Sequence, residues 1–338
     1  MKRKNNLYQE ICKIENIISA FNEVCRNTNN KKKVQNYKQY KSIYISRIYN
    51  VLNNKTYKVG KYNVFTIYEP KERRIVSQNL QDKVINHLVA RYILYPVVMP
   101  CLIEQNVASR KNKGTRKGLE YANIYDTKCK IKYKNYYILK FDISKFFASI
   151  DQEILKEKIS KYVDNVISKE NIEEAVNYTL KNAKDALDII FKIIDSEEQG
   201  LGIGSMTSQC LAIFYLNDLD HFIKEKLKIK YYIRYQDDGL IFHESKEYIK
   251  FCFKEIEKFL DKEHLKLNNK SRIYKNTNNF IFLGRNRKGK YAKYRNIKRK
   301  IKYRKRLYED GKIDLMGYIN TINCYRNLIK KVVTIHSP

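Results

Sequence analysis

The sequence predicts an α+β fold in which an antiparallel sheet is backed by helices, and three observations carry that expectation. Residues 231–242 read Tyr-Tyr-Ile-Arg-Tyr-Gln-Asp-Asp-Gly-Leu-Ile-Phe, two β-prone runs around turn-forming residues, the pattern of a tight hairpin with adjacent acids at its tip. Residues 137–141, Tyr-Ile-Leu-Lys-Phe, form a strand-like run that ends on Asp142. Apolar residues at three- and four-residue steps recur over 7–26, 82–95 and 246–263, the period of amphipathic helices.

Size and composition allow two or three subdomains around a shared core, since 338 residues with 43% hydrophobic content exceed one typical domain. Lys plus Arg number 68 against 36 Asp plus Glu, a net charge of +32 that solubility does not require. A polyanionic partner accounts for it, and 29 tyrosines interleaved with the cations favour nucleic acid over a membrane surface. A base-composition bias that inflates Lys, Asn, Ile and Tyr together would supply cations too, without gathering them into patches. The cysteines form no Cys-x-x-Cys pair and no histidine clusters with them, so a zinc site or disulfide framework is not expected. No signal-like or membrane-length apolar run is present, and the expectation is a reduced, soluble, cytoplasmic protein.

In chain order, Leu7, Ile11, Ile14, Ile18, Phe21 and Cys25 predict a helix over 7–26, followed by a polar basic loop to Lys33 and a second helix over 40–52. Residues 62–68 and 74–77 read as strands around a charged turn, which places Lys71, Arg73 and Arg74 at a hairpin tip or edge. A solvated basic turn and a phosphate grip are both compatible with it. The helix over 82–95 should stop at Pro96. The basic loop 109–115 then leads into a helix reaching about Cys129. Residues 152–196 are expected to be mostly helical and carry no recognisable chemistry. A loop with three glycines, 200–209, feeds a helix from about Thr207 to Leu227. After the hairpin, Ile249, Phe253, Ile256 and Leu260 on one face predict a helix over 246–263. From Arg285 to Arg306 there are 13 basic residues, no acid and three tyrosines, which departs from the mixed charge of a solvated helical face and suits a phosphate backbone.

Chemistry concentrates on the acids. An Asp-Asp-Gly turn taken alone is usually just a solvated turn. If strand 137–141 lies beside the hairpin, however, Asp142 meets Asp237, and with Asp238 three carboxylates can hold two Mg²⁺ ions about 4 Å apart. That arrangement serves nucleotidyl transfer, one ion activating a primer 3′-hydroxyl and the other carrying a triphosphate.

Phe141-Asp142-Ile143-Ser144-Lys145-Phe146-Phe147 resembles the first palm motif of reverse transcriptases, and Tyr235-Gln236-Asp237-Asp238 resembles their Tyr-x-Asp-Asp box. The ordered set of motifs covers roughly residues 64 to 330. The resemblance implies a right-hand polymerase: N-terminal helices and fingers over 1–120, a palm over 121–284 with a helical insertion near 152–196, and a short helical thumb over 285–338. It implies Asp142, Asp237 and Asp238 as metal ligands, joined by the Ile143 carbonyl, and two Mg²⁺ as cofactor. Pro70-Lys71-Glu72-Arg73-Arg74-Ile75 resembles the fingers hairpin that meets the incoming triphosphate through Lys71 and Arg73, and Arg110 falls in what looks like the second fingers motif, as a template or triphosphate contact. Phe147 stands where an aromatic ring excludes the 2′-hydroxyl. Core packing competes for that ring, although Phe146 suits the core better if the strand ends or bends after Ser144. Lys270 resembles the lysine near the pyrophosphate leaving group, and a plain surface lysine is the competing reading. Residues 280–284 resemble the primer grip.

Ile203-Gly204-Ser205-Met206-Thr207-Ser208-Gln209 departs from the usual Gln-Gly-x-x-x-Ser-Pro of the family and looks like the variant of diversity-generating retroelement reverse transcriptases. Ile203, Gly204 and Ser208 form its loop, and Gln209 faces the nucleotide by this resemblance. Ile213 stands where the family usually has asparagine, and defence-associated bacterial enzymes drift at such positions. The implied partners are a template RNA, the primer or cDNA strand, deoxynucleoside triphosphates and a small accessory variability protein, with no membrane. No tract is expected for an RNase H, protease or endonuclease domain. The alternatives are a defence-associated reverse transcriptase with a dedicated noncoding RNA and an RNA-binding scaffold that keeps the fold without turnover.

Overall fold

A computed structural model describes residues 6–67, 73–167, 173–287 and 294–333. The strands among the described residues are β1 (Asn63–Ile67), β2 (Arg73–Ser77), β3 (Tyr137–Phe141), β4 (Tyr231–Tyr235), β5 (Asp238–His243), β6 (Arg272–Lys275), β7 (Ile281–Phe282) and β8 (Arg285–Asn286). The chain divides into two compact units. One comprises Met1–Asn63 with Val76–Asn276, the other Val64–Ile75 with Thr277–Pro338.

The first unit is built on a four-stranded sheet of order β4-β5-β3-β6, antiparallel throughout. Ile138, Leu139, Phe141, Tyr232, Ile233, Leu240, Ile241 and Phe242 are all buried, so consecutive residues on the strands, which point to opposite faces, are both covered. That is why these strands read as continuous apolar runs rather than as alternation. Lys246–Lys262 packs on β3 and β5, capped at its start by the Ser245 hydroxyl, which accepts from the Tyr248 amide at 3.1 Å. Thr115–Lys132 packs on β4 and β5. The expected antiparallel sheet backed by helices is thus present. β6, on the open side of β3, was not foreseen: Arg-Ile-Tyr-Lys has exposed ends, a partly buried middle and no apolar run.

The helical expectations hold with shifted boundaries. The predicted 7–26 helix is two, Leu7–Cys12 and Ile14–Asn27, broken where Lys13 takes an extended conformation. Within the expected basic loop a further helix, Lys31–Gln39, starts under an Asn30 side-chain cap on the Lys33 amide and buries nothing. Pro96 does not end its helix. Leu80–Leu88 passes through a wider π segment, Val89–Leu94, into Tyr95–Val98, where proline sits in the first turn of the last piece and owes no hydrogen bond there. The helix expected over 207–227 is Met206–Tyr215, Asn217–His221 and a π turn, Phe222–Lys226. Among the described residues no helix is long and apolar enough to cross a membrane.

In the second unit β7 and β8 form a hairpin in which Ile281 pairs with Asn286 and Phe282 with Arg285. Val64–Ile75 contributes most of the two-stranded β1–β2 sheet. The helices Tyr294–Glu309 and Leu315–Val333 pack together, with Tyr308 and Tyr318 stacked at 5.5 Å between ring centroids.

Candidate active site

The sheet register brings the acids to one place. β3 and β5 run antiparallel with Phe141 opposite Gly239, and β4 and β5 close their hairpin with Tyr235 opposite Asp238. Gln236 and Asp237 are therefore the two turn residues, and Asp142, one step beyond Phe141, lies beside them. Gly239 is required by close approach: a Cβ there would meet the Phe141 ring at 2.2 Å. The backbone of Asp142 is clamped from the other side, its carbonyl accepting from the Asn268 amide at 2.7 Å and its N–H donating to the Ser271 hydroxyl at 3.1 Å. Ile143 forms an isolated bridge with Leu267 whose bonds fall on the Asp142 carbonyl and the Ser144 amide.

Asp142 and Asp237 share a side-chain hydrogen bond, which requires one of the two carboxyls to carry a proton. Burial is the main cause that pushes the Asp237 carboxyl up to about 7, and the charge of Asp142 is the next. This proximity is the electrostatic strain that a divalent cation relieves, and two carboxylates with a neighbouring carbonyl are a donor set of the hard-oxygen kind that Mg²⁺ accepts alongside substrate phosphates. Asp238 stands next to the pair, and its charge is a lesser cause of the Asp237 shift. Asp238 accepts from Lys140 Nζ at 3.0 Å, and among the described residues no group of three or more His, Cys, Asp or Glu side chains is placed to hold a metal. The reason is the turn itself: Asp237 occupies it while Asp238 already belongs to β5, where Lys140 of neighbouring β3 reaches it.

Other predicted residues fall as follows. Phe146 is buried in the core, whereas Phe147 is only partly buried and meets it edge-on at 5.7 Å. β3 ends at Phe141, and the left-handed Lys145, at φ 46°, turns the chain into the short helix Phe146–Ser149, so strand alternation does not govern the two rings. Arg110 directs Nη1 at the carbonyls of Ile103, 2.7 Å, and Asn106, 2.9 Å, within its own loop. Gln209 is exposed and its Oε1 accepts from the Ser109 hydroxyl at 3.2 Å, while Gln236 Nε2 donates to the same hydroxyl at 3.0 Å. The Ile203 carbonyl accepts from the Val76 amide at 3.3 Å, and Gly204 sits at φ 129°. Ser205, rather than Ser208, caps the following helix, its hydroxyl accepting from the Ser208 amide at 3.2 Å. Ser205 and Thr207 both bond buried Asn86. Lys270 is exposed, next to Ser271, and its amide donates to the Asn268 side chain. Arg73 opens β2, exposed, in the second unit; Lys71 lies outside the described residues.

Sequence reasoning missed four participants. Lys140 bonds the Asp238 carboxylate and Ser271 the backbone of Asp142, Ser109 links the Gln236–Asp237 turn to Gln209, and Arg234 forms a fully buried ion pair with Asp220 at 2.6 Å. Only Arg234 announced itself, as a lone charge in an otherwise apolar strand.

A family model for reverse transcriptase (RNA-dependent DNA polymerase) matches residues 54–286. No curated protein matches the chain. Among solved structures it is similar to apo telomerase from Candida tropicalis truncated from its C-terminal domain, with 13% identity and a TM-score of 0.49 over 70% of this chain and 56% of that one. It is also similar to telomerase from Candida albicans in complex with a TWJ fragment of telomeric RNA, with 14% identity and a TM-score of 0.47 over 88% of this chain and 58% of that one. The chain thus spans less than two thirds of the length of these solved relatives. The matched segment contains the four-stranded sheet, the Asp142–Asp237 pair and the glycine loop in one continuous stretch. By that match the chain belongs to the reverse transcriptase family.

Proposed function

We propose that this chain is an RNA-directed DNA polymerase that copies a template RNA into cDNA from deoxynucleoside triphosphates. The observation that carries the reading is the hydrogen-bonded pair Asp142–Asp237 at the end of an antiparallel sheet, in a chain of this family. Asp142, Asp237 and the Ile143 carbonyl would hold the divalent metal, which when bound supplies activation of the primer hydroxyl and charge stabilisation on the transferring phosphate. The protein's own part is positional. Gly239 under the Phe141 ring and the clamp on the Asp142 backbone fix the separation of the two carboxyls, and Lys140 holds Asp238 aside. Phe147, on the short helix after β3, is offered as the ring that excludes ribonucleotides, and Lys270 as the donor near the leaving group. Residues 1–120, 121–284 and 285–338 are assigned to fingers, palm and thumb, with the basic helix Tyr294–Glu309 along the primer–template duplex.

The finer assignment, to a diversity-generating retroelement with an accessory variability protein, rests on Ile203-Gly204 and Ser208-Gln209. Ile213, in place of the family's usual asparagine, is a drift that defence-associated enzymes share, and the gene's neighbours, a template repeat beside a variable gene or a defence island, separate the two. Primer extension on an RNA template tests the enzyme reading. Asp237→Ala should lose at least about 10³-fold in rate, as removal of a catalytic ligand does, while Lys312→Ala stays near wild type. Equal incorporation by wild type and Asp237→Ala rejects it.

A further inference from the structure

Arg234 is fully buried and paired with the equally buried Asp220, and its guanidinium is used on every side. Nε donates to Asp220 Oδ1 at 2.7 Å and Nη2 to Oδ2 at 2.6 Å, the two-point geometry that makes arginine hard to replace. Nη2 also donates to the Ile213 carbonyl at 2.9 Å, and Nη1 donates to the Gln236 carbonyl at 2.7 Å. Asp220 is completed by the Tyr232 hydroxyl at 2.7 Å and Asn106 Nδ2 at 3.2 Å. The backbone of Arg234 joins the same web, its amide donating to Gln105 and its carbonyl accepting from Val107.

Three of these four side-chain contacts tie elements of the core together. The fourth goes elsewhere. Gln236 is the first residue of the two-residue turn and sits in the left-handed region at φ 55°, a conformation that glycine favours and a side chain resists. The hairpin ladder ends at Tyr235 and Asp238, so it leaves the peptide plane between Gln236 and Asp237 without a strand partner. That plane sets the direction in which Asp237 leaves the backbone. A donor anchored in the core and bonded to the Gln236 carbonyl holds the plane against a flip.

We propose that Arg234, locked by Asp220, is a positioning residue for the active site: it holds the Gln236–Asp237 peptide in the one orientation that presents the Asp237 carboxyl to Asp142. The inference rests on the polymerase reading for its consequence in activity, but its geometry can be tested without it. Arg234→Lys keeps a cation beside Asp220 and loses the fork that reaches Gln236. Hydrogen exchange should then quicken about tenfold at the Asp237 and Asp238 amides while Ile233 and Ile241 stay protected. In primer extension kcat should fall on the order of 10- to 100-fold, the scale expected when a reacting group is misplaced by about an ångström, with KM for the nucleotide changed less than about threefold. Gln236→Gly, which adopts a positive φ freely, should shrink that kcat loss to a few-fold when the two changes are combined, relative to Gln236→Gly alone. A role in stability alone predicts a loss that follows the melting temperature and ignores position 236. If Arg234→Lys does not fold, Arg234→Met with Asp220→Leu removes both buried charges together and is read by the same exchange measurement. Unchanged exchange at Asp237 in a folded variant, or a kcat loss that Gln236→Gly leaves at full size, overturns the proposal. Faster exchange in a protein whose wild type shows no template-dependent synthesis keeps the positioning role and rejects the polymerase.

Discussion

Asp142→Asn should stabilise the metal-free protein at alkaline pH while abolishing its activity. Asp237 is raised from the ordinary carboxylate range to about 7, so the folded state holds a proton that the unfolded state releases much earlier. The sign follows directly. The stabilisation from that proton is complete below the ordinary carboxylate range and is lost as pH rises through about 7, leaving two ionised carboxylates facing each other. A shift of about 3 units corresponds to at most about 4 kcal/mol. Burial is the larger cause, which leaves about 1–2 kcal/mol to the repulsion that Asp142→Asn removes. With an unfolding entropy of about 2 cal/mol/K per residue over a chain of this size, the melting temperature at pH 8.5 should rise about 1.5–3 °C. The gain should shrink at pH 5.5, where the wild-type pair shares its proton. Scanning calorimetry in chelator at the two pH values, beside primer extension in magnesium, reads both effects. A gain of equal size at pH 5.5, or none at pH 8.5, refutes the claim that the two carboxyls repel each other across the turn.

Three further outcomes follow from the same geometry. Gly239→Ala drives a methyl into the Phe141 ring and should cost about 1–3 kcal/mol in denaturant midpoint, with activity falling further than stability because the β3–β5 spacing also sets the separation of the acids; a variant as stable and active as wild type contradicts the packing argument. Lys140→Met leaves Asp238 without its cation and, for a partly buried pair whose side chains are 19% and 29% exposed, should cost about 1 kcal/mol in urea unfolding, a loss that magnesium partly restores; a loss of several kcal/mol would show the ion pair to be structural instead. Replacing Arg299 and Lys302 by glutamine, in the helix Tyr294–Glu309, should lower the slope of log affinity against log salt for an RNA–DNA primer–template by about one per residue that meets a phosphate, and an unchanged slope would remove that helix from the duplex interface.

Local chemistry was legible where a residue's role depends on its immediate neighbours. The hairpin around Gln236-Asp237 could be read because turn propensity and strand propensity are properties of a few consecutive residues, and the strand before Asp142 for the same reason. That Asp142 meets Asp237 was conditional on the strands pairing, and the register Phe141–Gly239 supplies the condition. β6 escaped because an edge strand only half buried need not be apolar. The helix running past Pro96 escaped because a proline that begins a new helical segment costs no hydrogen bond, and sequence alone does not say whether a proline follows or interrupts a turn.

The fate of Asp238 shows what kind of information is absent from a motif. Adjacent acids in a turn read as equivalent, yet the backbone gives one to the turn and the other to a strand, and whichever falls beside a cation from another strand is withdrawn from the pair. Lys140 is separated from Asp238 by 98 positions, and nothing in either segment signals the other. The same holds for Arg234, whose oddness in an apolar strand was visible while its partners, Asp220, Ile213 and Gln236, were not. A buried charge is costly unless fully paired, so its presence in a strand predicts a network without naming its members. The carboxyls proposed to perform the chemistry can therefore be read from the sequence, whereas the residues that aim them cannot, because aiming requires rigid contacts from elements that the chain brings together only by folding.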